Sequence, residues 1–192
     1  MNKVFICPSN IKSKSEISIT GSKSESNRLL IINALYSDIE LLNLSNSDDT
    51  KVLIKALSNL NGQIDIHHAG TAMRFLTAFL AQIEDREFVI TGSARMQERP
   101  IGILVDSLNE LGFEVRYLDK KGFPPLKIIG KKNIKSEIKL NSTVSSQYIS
   151  ALMLIAPSLE NGLKIILEGQ IISKPYINLT LNILKKIGVK CS

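Results

Sequence analysis

Two helical patterns of apolar and polar residues recur three times along this 192-residue chain. In the first, a run that is apolar nearly all round opens on small polar residues. It appears as Ser24-Glu25-Ser26-Asn27-Arg28 before LLIINAL, as Gly70-Thr71-Ala72-Met73-Arg74 before FLTAFLA, and as Val144-Ser145-Ser146-Gln147 before YISALMLIA. A helix that is apolar on every side has to be buried. In the second pattern the apolar residues take one face. Val52, Leu53, Ala56, Leu57 and Leu60 share it in the first copy, opposite Lys51, Lys55 and Asn59. Ile101, Leu104, Val105, Leu108 and Leu111 share it in the second, and Ile177, Leu181, Leu184 and Ile187 in the third. That spacing predicts amphipathic helices. Gly62, Gly112 and Gly188 are placed to end them in the left-handed conformation, and Pro100 and Pro175 to begin the last two. Pro157 is expected to stop the third buried helix.

Between the helices lie short runs of strand character: EISIT, QIDIH, EFVIT, FEVRYL, LKIIG, EIKL and LKIILEG. Each unit therefore reads strand, buried helix, strand, amphipathic helix, then strands, and the fold class is a repeated α/β architecture. The third unit breaks off after its amphipathic helix, so a strand pair is missing and the chain is expected to be part of a longer protein. The lysine-rich stretch from Lys127 to Lys139 alternates with apolar residues, which predicts the solvated face of a hairpin.

Composition narrows the partners. No run approaches the roughly 18 apolar residues of a membrane span, and the first ten residues carry too short an apolar stretch for a signal peptide. Cys7 and Cys191 sit near opposite ends, an arrangement that fits a reduced, cytoplasmic protein. His67 and His68 are adjacent, so in a strand they would face opposite sides, and no third ligand supports a metal. The net charge of +6 is modest. Aromatic residues are few and no nucleic-acid-binding signature occurs, so the basic balance fits a small acidic substrate, with no nucleic acid and no membrane as partner. Phosphate-binding, dinucleotide-binding and nucleophile-elbow glycine motifs are absent.

The chemistry is expected where strands pass into buried helices, because a helix N-terminus offers free N–H groups and a partial positive charge. Gly21-Ser22-Lys23-Ser24 adds hydroxyls and an ammonium there, with Arg28 about a turn further in. Ser145, Ser146 and Gln147 supply two hydroxyls and an amide. The amphipathic helices open comparably, with Arg95, Glu98 and Arg99 before Pro100, and Ser173-Lys174 before Pro175-Tyr176. Any one serine here reads as an ordinary N-cap, and Arg74 and Lys174 could pair with Asp48, Asp49 or Glu98. Recurrence at equivalent points of a repeat is what marks a site, suited to phosphate and carboxylate oxygens.

The segments GSKSESNRLLIINAL, NSDDT, AGTAMRFL, RMQERPIG, VSSQYISALMLIAP and SKPYINLTLNIL resemble, in order, the successive signatures of the 3-phosphoshikimate 1-carboxyvinyltransferase (EPSP synthase) family, from about Gly21 to Gly188. The resemblance implies transfer of the enolpyruvyl group of phosphoenolpyruvate to the 5-hydroxyl of shikimate 3-phosphate, without metal or organic cofactor. It also implies an enolpyruvyl transferase-like lobe, an inside-out α/β barrel of βαβαββ units with buried helices. Residues 1–20 would be a strand segment belonging to the other lobe, with a hinge near Thr20-Gly21. Residues 21–192 would be the N-terminal substrate-binding lobe, its third unit incomplete. The second lobe, with its acidic residues, lysine and further arginines, would be the missing partner.

By motif, the resemblance places Lys23 between both substrates as the catalytic cation, and Ser24 and Arg28 on shikimate 3-phosphate, with Arg28 facing its carboxylate. Ser145, Ser146 and Ser173 would hold its phosphate, with Tyr176 nearby. Gly70 and Arg95 would contact phosphoenolpyruvate, and Gln147 would reach both ligands. The family usually has Asn where this chain has His68, which bears on contacts to phosphoenolpyruvate. It usually has Pro where Phe75 stands, which is expected to shift the start of that helix. The sister enzyme acting on UDP-N-acetylglucosamine typically carries Lys-Asn in its first motif and a reactive cysteine in its mobile loop. Here the pair is Lys23-Ser24, and SARMQER before Pro100 has no cysteine.

Overall fold

The structure is a computed structural model and describes residues 4–191 apart from residues 6, 11, 12, 37, 142 and 172. In chain order its elements are α1 (Lys23–Leu35), α2 (Asp48–Ser58), β1 (Gln63–Asp65), α3 (Gly70–Ala81), β2 (Glu87–Thr91), α4 (Ala94–Gln97), α5 (Gly102–Leu111), β3 (Glu114–Tyr117), β4 (Leu126–Ile129), β5 (Glu137–Asn141), α6 (Ser146–Ile155), β6 (Lys164–Glu168) and α7 (Lys174–Lys186).

The repeat is visible, and one βαβαββ unit is complete: β1, α3, β2, α5, β3 and β4, with the four-residue α4 added before α5. Its sheet has the order β1-β2-β4-β3, with β1 and β2 parallel and both β2 and β3 antiparallel to β4. The third unit contributes β5 and β6, a parallel pair on either side of α6, and then α7. The first contributes α1 and α2. Its expected strand, EISIT, forms no strand, and Ile17 and Ile19 are 80% and 83% exposed, so their side chains pack on little among the described residues. The rest of the strand expected over residues 1–20 lies partly outside the described residues.

The three apolar runs become the inner helices. All twelve residues of α3 are buried, as are Tyr148 to Ile155 of α6 and Leu30, Ile31 and Ile32 of α1. Fully burying one such side chain is worth about 1.5–3 kcal/mol, which is why runs with no polar face settle at the centre and the amphipathic helices cover them. α3 begins at Gly70, and Phe75 is 1% exposed within it.

Other expectations change in detail. Pro100 is not helical; α5 starts at Gly102, and the Pro100 carbonyl is engaged elsewhere. Pro175 does open α7. Gly112 and Gly188 end α5 and α7 at φ 103° and 91°, and the N–H of the residue after each reaches back to the carbonyls of Leu108 and Leu184. Gly62 is left-handed but caps nothing, since α2 ends at Ser58. The buried face of α7 is Ile177, Thr180, Ile183 and Leu184. It includes a threonine because that hydroxyl takes a hydrogen bond from Arg28. Lys127 to Lys139 is no hairpin: β4 joins the four-stranded sheet and β5 pairs with β6. His67 and His68 follow the end of β1 in a turn, with His67 at φ 49°. Their rings meet edge to face rather than on opposite sides.

The NSDDT segment has a structural task. Ser45 N donates to Ser26 Oγ at 2.9 Å, and Thr50 Oγ1 donates to Asn27 Oδ1 at 2.8 Å, tying α2 to the first turns of α1. Asn27 is fully buried and its Nδ2 has no partner among the described residues. Thr50→Val would leave the whole amide unpaired. We expect it to lower the unfolding free energy by about 1–3 kcal/mol in urea denaturation.

Candidate functional site

Side-chain hydrogen bonds join the N-terminal halves of α1, α6 and α7 through Arg28, and the first turns of α6 and α3 through Gln147, so the recurring polar starts do come together. Arg28 is the centre of this set. Its Nε donates to Thr180 Oγ1 on α7 at 2.7 Å, one Nη to the Ser24 carbonyl at 2.7 Å, and the other to Ser150 Oγ on α6 at 2.9 Å and the Tyr176 carbonyl at 3.5 Å. It lies 5.3 Å from the centre of the Phe75 ring on α3 and is 3% exposed. Burial pulls its pKa down to about 10, an effect that the nearby Tyr176 phenol opposes. At neutral pH it stays charged, with no carboxylate within ion-pair distance among the described residues.

A second cluster forms at the start of α3. Gln147 Nε2 donates to Thr71 Oγ1 at 3.3 Å, linking the first turns of α6 and α3. Arg74 donates to the Gly70 carbonyl at 2.8 Å and to the Pro100 carbonyl at 3.0 Å, and Tyr148 Oη donates to that same Pro100 carbonyl at 2.7 Å. Arg74 is 5% exposed, and its pKa is lowered by burial first and, further down, by the Arg99 charge, while Tyr148 opposes the shift. The carboxylate partners suggested by the sequence are not its partners. The Arg99 guanidinium lies against Gly70, so closely that a Cβ there would fall 2.2 Å from its Nη1. Only glycine admits that approach.

Three of these four helix starts lack a side-chain cap. Ser22, Ala69 and Ser173 precede α1, α3 and α7 without any side-chain cap, which leaves their leading N–H groups without a capping side chain. Ser145 does cap α6, accepting from Gln147 N at 3.4 Å. Lys23 and Ser145 are exposed, Ser24, Gln147 and Ser173 half-buried, Gly70 and Ser146 buried, and Tyr176 is 50% exposed. Lys23 Nζ lies 3.8 Å from Asp49, its side chain 49% exposed. Arg95 sits apart from the cluster's bonds, exposed on α4.

The sequence reading grouped Arg99 only loosely with the cations before Pro100, yet Arg99 is the one that covers Gly70. It also passed over Ser150 and Thr180. Both were legible as polar residues interrupting an apolar run or face, four residues after Ser146 and Tyr176. A groove of about 680 Å³ lies elsewhere, between β6 and α7, lined by Ile165, Leu167, Ile177 and Leu181, and holds none of these donors. Among the described residues no group of three or more His, Cys, Asp or Glu could hold a metal, and no helix is long and apolar enough to cross a membrane.

Fold and site together define a repeated-unit α/β lobe whose cation-rich helix starts lie together, three of them without a side-chain cap. A sequence model of EPSP synthase (3-phosphoshikimate 1-carboxyvinyltransferase) matches residues 61–192. The chain belongs to that family. It is 52% identical, over its whole length, to the 3-phosphoshikimate 1-carboxyvinyltransferase of Bacteroides fragilis strain YCH46, of which it covers 46%. It is 39% identical over 93% of its length to the enzyme of that name from Colwellia psychrerythraea, of which it covers 48%. The solved EPSP synthase from Acinetobacter baumannii shares the fold, with a TM-score of 0.76 at 18% identity, over 92% of this chain and 44% of that one. The chain thus spans about half the length of the curated relatives it matches.

Proposed function

We propose that this chain forms the substrate-holding wall of a cytoplasmic enzyme that moves the enolpyruvyl group of phosphoenolpyruvate onto the 5-hydroxyl of shikimate 3-phosphate, releasing phosphate. The observation that carries the reading is the convergence of four helix starts around buried, carboxylate-free arginines. Two multiply charged anions side by side repel each other, and fixed cations and helix ends offset that repulsion. Holding both also supplies the proximity that an addition between two substrates requires.

In this reading Ser145, Ser146 and Ser173 hold the phosphate of shikimate 3-phosphate, with Tyr176 beside them. Ser24 and the charge of Arg28 face its carboxylate. Lys23, on an exposed and flexible stem, reaches between the two ligands. Gly70 and Arg95 take phosphoenolpyruvate, with the Arg99 guanidinium lying close to Gly70 as a further cation beside them. Gln147, tied to Thr71, borders both. The groups that move protons belong to a second lobe facing this wall, which accords with relatives about twice as long.

Residues 1–20 join that second lobe as a strand, and the hinge falls at Thr20-Gly21. Supporting this, Val4, Phe5, Ile17 and Ile19 are all at least 80% exposed. Gly21 is pinned: a Cβ on it would fall 2.0 Å from the Asn43 carbonyl oxygen.

The chain by itself is expected to release no phosphate from phosphoenolpyruvate with shikimate 3-phosphate above the uncatalysed rate, in a continuous phosphate assay. Turnover near that of a two-lobed relative would overturn the division of labour. Binding of nucleic acid is the rival use of a basic lobe; a steep fall of affinity with salt on generic DNA, with no response to shikimate 3-phosphate, would favour it.

A further inference from the structure

We propose that Ser150 and Thr180 are positioning residues: their paired hydroxyls hold the Arg28 guanidinium in the orientation that meets the carboxylate of shikimate 3-phosphate, and so govern how tightly that end of the wall holds its ligand. The inference rests on the reading of Arg28 as the carboxylate-facing cation. It adds two residues, on α6 and α7, to which no ligand contact is assigned.

The hydrogen bonds around the pair run in one direction. Thr180 Oγ1 gives its single proton to the Tyr176 carbonyl at 3.0 Å and accepts from Arg28 Nε at 2.7 Å. Its 3.0 Å contact with Ser150 Oγ is therefore donated by the serine. Ser150 in turn accepts from Arg28 Nη2 at 2.9 Å. The circuit begins on a guanidinium, which can only donate, and ends on a backbone carbonyl in the first turn of α7. Each hydroxyl proton has one place to go, so the plane of the guanidinium is set.

Burial makes that orientation hard to change. Ser150 and Thr180 are fully buried with Arg28, and an unbonded hydroxyl or guanidinium N–H is costly there. Nε donates one N–H to Thr180, Nη1 one to the Ser24 carbonyl, and Nη2 two, to Ser150 and the Tyr176 carbonyl. Of the five N–H groups of an arginine, one on Nη1 is left for a ligand. Nη1 is also the nitrogen tied to Ser24, the residue that faces the same carboxylate in this reading. The rest of the buried face of α7 is Ile177, Ile183 and Leu184, so packing alone asks for no hydroxyl at Thr180.

Thr180→Val keeps the shape of the side chain and removes the hydroxyl, and Thr180→Ser puts the hydroxyl back. Shikimate 3-phosphate, shikimate and inorganic phosphate are titrated separately into each variant of the full chain at constant ionic strength, with binding followed by NMR. In Thr180→Val the affinities for shikimate 3-phosphate and shikimate are expected to fall about threefold to tenfold, because both ligands present the carboxylate. Inorganic phosphate, which meets only the serines at the starts of α6 and α7, should bind within about twofold of wild type. Thr180→Ser should restore both carboxylate ligands. If Thr180→Val does not fold, Ser150→Ala serves instead and should give the same pattern. Equal weakening of all three ligands would mean that the hydroxyls only support the helix starts, and it overturns the positioning of Arg28. Unchanged affinity for all three does the same. Failure of the underlying reading looks different: wild type and Arg28→Lys would bind shikimate equally, or wild type not at all, and the proposal falls with it.

Discussion

Arg28→Ala is expected to lower the unfolding free energy by about 2–4 kcal/mol and to abolish measurable binding of shikimate 3-phosphate. The guanidinium is buried and donates to partners on three helices, and hydrogen bonds from a charged donor are worth about 1.5–3 kcal/mol each. They do not sum, because Ser150 and Thr180 still hold each other at 3.0 Å when Arg28 is gone, and removing a buried cation recovers part of its desolvation cost. Arg28→Lys keeps the charge without the planar fork and should fall between wild type and alanine in urea midpoint. A loss of stability below about 1 kcal/mol in Arg28→Ala would mean that the guanidinium does not brace the lobe.

Lys23→Ala should separate binding from folding. Its ammonium is half-exposed and only loosely paired with Asp49, and exposed pairs of this kind contribute about 0–1 kcal/mol. Stability should stay within about 0.5 kcal/mol of wild type. Affinity for shikimate 3-phosphate should fall about tenfold or more, since one charge-assisted contact to the ligand is lost. Calorimetry that finds equal affinity with an unchanged fold would remove Lys23 from the site. The pair of variants is informative because the two cations stand five residues apart on α1, one braced inside and one outside.

The repeat was legible because burial leaves a strong imprint. FLTAFLA and YISALMLIA have no polar face, so α3 and α6 had to be central, and the glycines at 112 and 188 marked helix ends that the backbone then used. Where the sequence misled, a longer-range contact overrode local pattern. Alternation over Lys127 to Lys139 looked like a hairpin, but β4 and β5 find partners in different sheets. EISIT has strand composition and no strand beside it among the described residues, since pairing is a property of neighbours. Pro100 looked like a helix opener, yet its carbonyl is held by Arg74 and Tyr148 and the helix waits until Gly102.

At the site, the residue types were readable and their division into buried and exposed cations was not. Arg28 and Lys23 read alike as cations at a helix start, but burial of one and exposure of the other depend on α6 and α7, far along the chain. Arg99 and Arg95 stand four residues apart with the same chemistry, and only the close approach to Gly70 tells them apart. Tyr148 gave no polar signal at all, because a tyrosine in an apolar helix reads as core until its hydroxyl finds a carbonyl.

The most direct measurement is a calorimetric titration of shikimate 3-phosphate into the wild-type chain at low ionic strength, repeated with added salt and with Lys23→Ala. Saturable one-to-one binding that weakens with salt and in the variant is the expected result. No saturable heat up to about millimolar ligand, on a chain that circular dichroism shows to be folded, would contradict the wall as a shikimate 3-phosphate site.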